Sequence, residues 1–142
     1  NVETPINPLA LAIVSGATYV SRAFSGDPKH MADTIAGGIA HKGFALIDVF
    51  SPCVTYNKIN TYPWFRKRVY KLEESSEYDP TNFQEALNRA YEWGDRIPLG
   101  LVYKDEQPTY EESEPALQEE PLAHQKLGLN EELFDSLVEE FV

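Results

Sequence analysis

The chain has 142 residues, 42% of them hydrophobic and 25% charged, with a formal net charge of −11 and one cysteine. This is enough chain for one domain with a real core. The single cysteine excludes an internal disulfide framework and fits a reducing cytoplasm. No run approaches the ~18 consecutive apolar residues of a membrane span, and "NVETPINP" lacks the basic and apolar regions of a signal peptide.

In "NPLALAIVSGATYV", Asn7 reads as a helix cap, Pro8 as the first helical position and Gly16 as the stop, followed by a strand over 18–23. The next helix starts at Asp27-Pro28, runs over 28–41 with a stripe of Met31, Ile35 and Ile39, and ends at Gly43. Gly37 and Gly38 are poor helix formers, so their pairing suggests close approach to another element. The strand over 44–50 is apolar apart from Asp48, as expected of a strand covered on both faces. "TYPWFRKRVYKLEE" mixes aromatic and basic residues and reads as a helix from Pro63. "DPTNFQEALNRAYEWGD" is an amphipathic helix with Phe83, Leu87 and Tyr91 on one stripe and Gly94 as stop. "RIPLGLVYKDE" supplies a strand over 97–103. "QPTYEESEPALQEEPLAHQK" reads as a linker, and "LNEELFDSLVEEFV" as a capped amphipathic helix.

The alternation of helices and strands predicts an α/β fold, a parallel sheet with flanking helices. The strands at 18–23 and 44–50 should be parallel neighbours joined by the helix 28–41 in a right-handed crossover. Charge is unevenly placed: residues 1–104 carry 11 acidic and 11 basic side chains, residues 105–142 carry 12 acidic and one basic, Lys126. Such a surface excludes a phosphate-backbone partner, since nucleic acid needs a positive stripe. The tail is either a solubilising arm or a docking segment for a basic surface.

Cys53, in "DVFSPCVTYN", stands just past a strand, where α/β sheets pass into their site-forming loops. It is open to two readings, a small buried hydrophobe or a reactive group. A nucleophile needs a basic neighbour, and the loop offers only Lys58; a metal needs more ligands than one cysteine. His30, His41 and His124 lack metal-ligand spacing and read as structural or solvated. Asp48 is either a functional carboxylate or a hydrogen-bonded structural one, the second being favoured. "WFRKRVYK" is better suited to pairing with acidic residues or a neighbouring subunit than to nucleic acid.

Residues 7 to about 60, "NPLALAIVSGATYVSRAFSGDPKHMADTIAGGIAHKGFALIDVFSPCVTYNKINT" at their fullest extent, resemble the second half of the β subunit of 2-oxoacid:ferredoxin oxidoreductases. The likeness continues through "YPWFRKRVYKL" and "YEWGDRIPLGLVYK" and fades after Tyr110. The resemblance implies an enzyme that uses thiamine diphosphate, Mg2+ and a 4Fe-4S cluster. It oxidatively decarboxylates a 2-oxoacid to an acyl-CoA and reduces ferredoxin, together with an α subunit. It also implies that Cys53, in "SPC", is the fourth cluster ligand, and it assigns no catalytic residue here. The family's three other cysteines, its Gly-Asp-Gly motif and its asparagine loop have no counterpart in the sequence. The expectation is therefore a C-terminal portion of a β subunit, inactive alone and exposing apolar surface. Its divisions would be 1–60, the last part of the thiamine-diphosphate-binding domain; 61–110, the C-terminal extension typical of the β subunit; and 111–142, an acidic linker and terminal helix. By texture 2-oxoglutarate is favoured as substrate, with pyruvate next. The rivals are a non-catalytic α/β protein-interaction domain and a different α/β enzyme using Cys53 as nucleophile, the latter weakened by the absence of a paired histidine.

Overall fold

A computed structural model of the chain describes residues 2–118, 121, 123, 124, 128 and 130–140. The chain forms two compact units, Asn1–Gln107 and Pro108–Val142.

The first unit begins with α1 (Pro8–Val14), whose N-terminus is closed by Asn7, its side chain accepting from the Ala10 N–H. Strand β1 (Tyr19–Phe24), helix α2 (Pro28–Ala40, capped by Asp27 on the His30 N–H) and strand β2 (Ala45–Phe50) follow. Then come the single turn α3 (Tyr62–Arg66), β3 (Val69–Lys71), a 3-10 turn at Leu72–Glu74, α4 (Phe83–Tyr91) and β4 (Ile97–Lys104). The strands make one sheet in the order β2-β1-β4-β3.

β1 and β2 are parallel neighbours as expected, with Tyr19 opposite Ala45 and Arg22 opposite Asp48. The β3–β4 pair is parallel too, but β4 runs antiparallel to β1, with a register shift between Val20 and Ser21. The sheet is thus mixed, two of its three pairings parallel. Strand β3 lies where one helix from Pro63 was expected: the helix stops at Arg66, and Val69–Lys71 pair with β4 instead.

Burial follows position in the sheet. The central β1 is buried throughout and β4 nearly so, whereas β2 is an edge strand, mostly half-buried. The double cover expected of 44–50 therefore belongs to β1. Edge position also explains why Phe44 is 63% and Val49 37% exposed. An apolar groove of ≈ 420 Å³ opens here between α1 and β2, lined by Leu11, Ala12, Phe44 and Leu46.

The core is two clusters. One joins Leu9 and Ile13 of α1 to Val20, Val102 and the alanines of α4; the other joins Phe24, Phe65, Ile97 and Leu99. Each large apolar side chain so buried contributes about 1.5–3 kcal/mol. The buried face of α4 is Ala86 and Ala90, with Leu87 half-covered, whereas Phe83 and Tyr91 of the expected stripe are exposed. On α2 the inward residues are Thr34 and Gly38, and Ile39 points to solvent. Small residues face inward because both helices pack closely. A Cβ on Gly38 would stand 2.7 Å from Ile47 Cδ1, and one on Gly37 2.5 Å from the Tyr19 hydroxyl.

In the second unit, α5 (Tyr110–Ser113) lies inside the stretch read as linker. It is nucleated by a capping box in which Thr109 and Glu112 satisfy each other's backbone N–H. Helix α6 (Glu131–Glu139) is capped by Asn130 and exposes Leu133, Phe134, Leu137 and Val138. The last two residues of the expected terminal helix lie outside the described residues. Among the described residues no helix is long and apolar enough to cross a membrane.

Candidate functional site

β2 ends at Phe50, and Ser51-Pro52 carry the chain off the sheet to Cys53, which is exposed. The loop after it is ordered by its own polar groups. The Asn57 N–H donates to the Cys53 carbonyl at 3.1 Å, closing a turn. Asn57 Oδ1 accepts from the N–H groups of Ile59 and Asn60 at 3.0 and 2.9 Å. The backbone N–H groups of Tyr56 and then Thr55, with a lesser share from Asn57, pull the Cys53 thiol below its ordinary value. Nearby main-chain N–H dipoles favour the thiolate, the form that binds metals.

Lys58 plays no such part. Its Nζ donates to the Val54 carbonyl at 2.6 Å.

Cys53 opens into a groove of ≈ 410 Å³ whose lining includes Phe50, Asn57, Asn60, Phe65 and Trp93. Its apolar wall is a cluster of aromatic rings: Phe50 stacks on Phe65 at 5.0 Å and meets Trp93 edge-on at 5.4 Å. The sequence shows these aromatics but not their convergence, since Trp93 follows α4 and Phe50 ends β2. Arg22 lies against Phe50, its guanidinium 4.9 Å from the ring centroid. Arg22 Nε donates to Asp48 Oδ2 at 3.0 Å, so Asp48 takes the structural role favoured for it. Burial pulls the Arg22 guanidinium below its usual range, with Asp48 opposing the shift, and Nη1 has no hydrogen-bond partner.

The histidines do not gather at this loop. His41 Nε2 lies 2.8 Å from Thr18 Oγ1, and its ring packs 5.2 Å from that of Tyr19. His30 Nε2 faces Glu73 Oε2 at 3.6 Å. His124 is exposed in the second unit. Among the described residues no group of three His, Cys, Asp or Glu side chains stands ready for a metal ion. The basic segment pairs locally: Lys71 Nζ bridges to Asp27 at 2.9 Å, and Arg68 stacks over Trp64 at 4.2 Å.

The loop therefore fits one ligand's share of a metal–thiolate centre. It has an exposed sulfur in a turn whose backbone N–H groups pull the thiol below its ordinary value. With one cysteine in the sequence, the remaining ligands of such a centre must come from elsewhere. Fold and loop together make an α/β module that presents a single exposed cysteine at the carboxyl end of a sheet strand.

Comparison with known proteins gives the family. Residues 53–119 match the family model for the C-terminal region of the pyruvate ferredoxin oxidoreductase beta subunit. The chain is 46% identical over 122 residues to a 2-oxoacid:ferredoxin oxidoreductase subunit beta from Sulfolobus sp, covering 79% of this chain and 40% of that protein. It is 43% identical over 138 residues to the same subunit from Saccharolobus solfataricus, covering 87% of this chain and 45% of that one. A solved structure of 2-oxoglutarate:ferredoxin oxidoreductase from Magnetococcus marinus, with 2-oxoglutarate, coenzyme A and succinyl-CoA bound, superposes with a TM-score of 0.80 at 34% identity. That match covers 96% of this chain and 46% of the other. The chain belongs to the family of 2-oxoacid:ferredoxin oxidoreductase β subunits, and it spans less than half the length of each of these three proteins.

Proposed function

We propose that this chain is the part of a 2-oxoacid:ferredoxin oxidoreductase β subunit that contributes Cys53 as one of four thiolate ligands to a 4Fe-4S cluster. The observation that carries the reading is the exposed sulfur of the only cysteine, in the turn that leaves β2. When bound, thiamine diphosphate with Mg2+ supplies the electron sink for decarboxylation of the 2-oxoacid, and the cluster supplies one-electron storage on the way to ferredoxin.

This chain's own residues do three things in that setting. The amides of Thr55 and Tyr56 stabilise negative charge on Cys53 Sγ. Asn57 fixes the loop by accepting two backbone N–H bonds, so the sulfur is held in place before a ligand arrives. Phe50 and Phe65 stack beneath the groove and keep the loop's base apolar.

The assembled activity is oxidation of a 2-oxoacid to an acyl-CoA with reduction of ferredoxin, in the cytoplasm and in partnership with an α subunit. 2-Oxoglutarate is the favoured substrate and pyruvate the next. Support comes from the 34% identity, over nearly the whole chain, to a protein solved with 2-oxoglutarate bound. The 142-residue chain alone is inactive.

The test is anaerobic co-expression of the complete β subunit with its α subunit, followed by coenzyme-A-dependent ferredoxin reduction with each substrate. 2-Oxoglutarate should exceed pyruvate in kcat/KM by about 10-fold or more, since a site built for a second carboxylate is left unpaired by pyruvate. A preference for pyruvate would overturn the substrate assignment, and turnover by the 142-residue chain alone would overturn the division of labour.

A further inference from the structure

Helix α6 carries charges that work against it as an isolated helix. Its N-terminus is sound: Asn130 Oδ1 accepts from the Leu133 N–H at 2.7 Å. The rest is not. Nine residues, none of them buried, are too few for a helix to persist in water by itself. Glu131, Asp135 and Glu139 stand at i, i+4 and i+8, a row of like charges in which each repels the next. Glu139 and Glu140 lie at the carboxyl end, where the helix dipole favours a cation, and the last turn holds no basic residue. Among the described residues no salt bridge engages any of these carboxylates. Beside the acidic row run two short apolar ones, Leu133 with Leu137 and Phe134 with Val138, all four exposed.

We infer that α6 docks on the α subunit, its two apolar rows seated in an apolar groove that Lys or Arg side chains flank on the side of Glu131, Asp135 and Glu139. The inference rests on the reading of this chain as part of a β subunit that works with an α subunit. Such a groove supplies both things the helix lacks. It covers the four apolar side chains, in the manner of an amphipathic helix laid in a groove. Its cations turn a self-repelling row into ion pairs and oppose the dipole at the carboxyl end. Charge also decides against the other occupants. A second copy of α6 brings the same acidic row and is repelled, as are nucleic acid and an anionic membrane. Residues 105–142 carry 12 acidic side chains and one basic, so attraction to the basic flank is long-ranged and weakened by salt.

The experiment follows amide hydrogen exchange over residues 131–139 in the complete β subunit, alone and assembled with the purified α subunit. Three forms are compared: wild type, the apolar double variant Phe134→Ala/Leu137→Ala, and the neutral triple variant Glu131→Gln/Asp135→Asn/Glu139→Gln. In the wild type these amides should exchange about tenfold or more slowly in the assembly than in the β subunit alone. Raising salt from about 0.1 M to about 1 M should remove most of that protection. The double variant should show little protection at either salt. The triple variant should lose the salt dependence, a readout that a solubilising arm would not give. Equal exchange in free and assembled wild type overturns the inference, as does protection that neither variant alters. Protection that appears in the β subunit alone as its concentration rises also overturns it and assigns the face to a second copy. If wild-type β forms no complex with α, the subunit reading itself fails, and this inference falls with it.

Discussion

Replacing Asp48 with alanine should destabilise the chain far more than removing its partner Arg22. The side chain of Arg22 is 4% exposed and that of Asp48 20%. Asp48→Ala strands a buried guanidinium whose Nη1 already lacks a partner, so Nε would be unpaired as well. Breaking a buried pair from one side costs about 3–5 kcal/mol. Because Asp48 is partly reached by water, the lower end, about 3 kcal/mol, is expected here. Arg22→Met keeps an apolar stem against Phe50 and leaves a carboxylate that water can solvate, at about 1 kcal/mol. The double variant should cost less than the sum of the two, since the stranded charge is gone. Urea unfolding of the 142-residue chain, followed by circular dichroism, measures all three. In thermal scans Asp48→Ala should lower Tm by more than about 10 °C for a unit of this size. Equal costs for the two single variants, or strict additivity, would refute the assignment of Arg22 as a buried cation neutralised by Asp48.

Gly100 in β4 has φ +99, and a Cβ there would meet the Glu73 carboxylate, whose Oε1 accepts from the Leu101 N–H at 3.2 Å. Gly100→Ala should therefore cost about 1–3 kcal/mol in urea unfolding, and a change within about 0.5 kcal/mol would remove the strain argument. Burial, and then the hydrogen bond to Glu92, push the Tyr70 phenol up to about 12. Because the folded value is raised, the stabilisation is complete below the unfolded value of about 10 and is lost as pH climbs through about 12. Ultraviolet phenolate absorbance should show a late phase that loses one phenol in Tyr70→Phe while that of Tyr78, also raised by burial, remains; an unaltered titration in that variant would place the raised phenol elsewhere.

Periodicity and punctuation made most elements legible. Asn7-Pro8 and Asp27-Pro28 announce the two helix starts, and both asparagine and aspartate cap as expected. Gly37 and Gly38 announced a close approach that Tyr19 and Ile47 provide. Other features were hidden for physical reasons. β3 has three residues, too few to show a period-2 pattern within a basic, aromatic segment. The direction of β4 against β1 is a tertiary property that leaves no trace in alternation. The capping signal Thr109-x-x-Glu112 was present within a stretch whose prolines read as linker. At the candidate site, Cys53 could be picked out by its place after a strand, and the role proposed for it came only from family resemblance. The amides that favour its thiolate, and the rings that converge from β2, α3 and the turn after α4, are set by folding.

The central claim is that Cys53 is a ligand of the cluster, and iron content tests it most directly. Cys53→Ala is made in the complete β subunit, assembled with the α subunit and purified anaerobically beside the wild type. Iron is then determined per assembly, together with the electron paramagnetic resonance of the reduced sample. Loss of one of four thiolates should deplete or convert the four-iron cluster and abolish its native signal. Thiamine diphosphate content should stay near the wild-type level, because this loop is proposed to serve the cluster alone. A Cys53→Ala assembly with full iron, the native signal and unchanged ferredoxin reduction would contradict the account and leave Cys53 an exposed thiol without a metal.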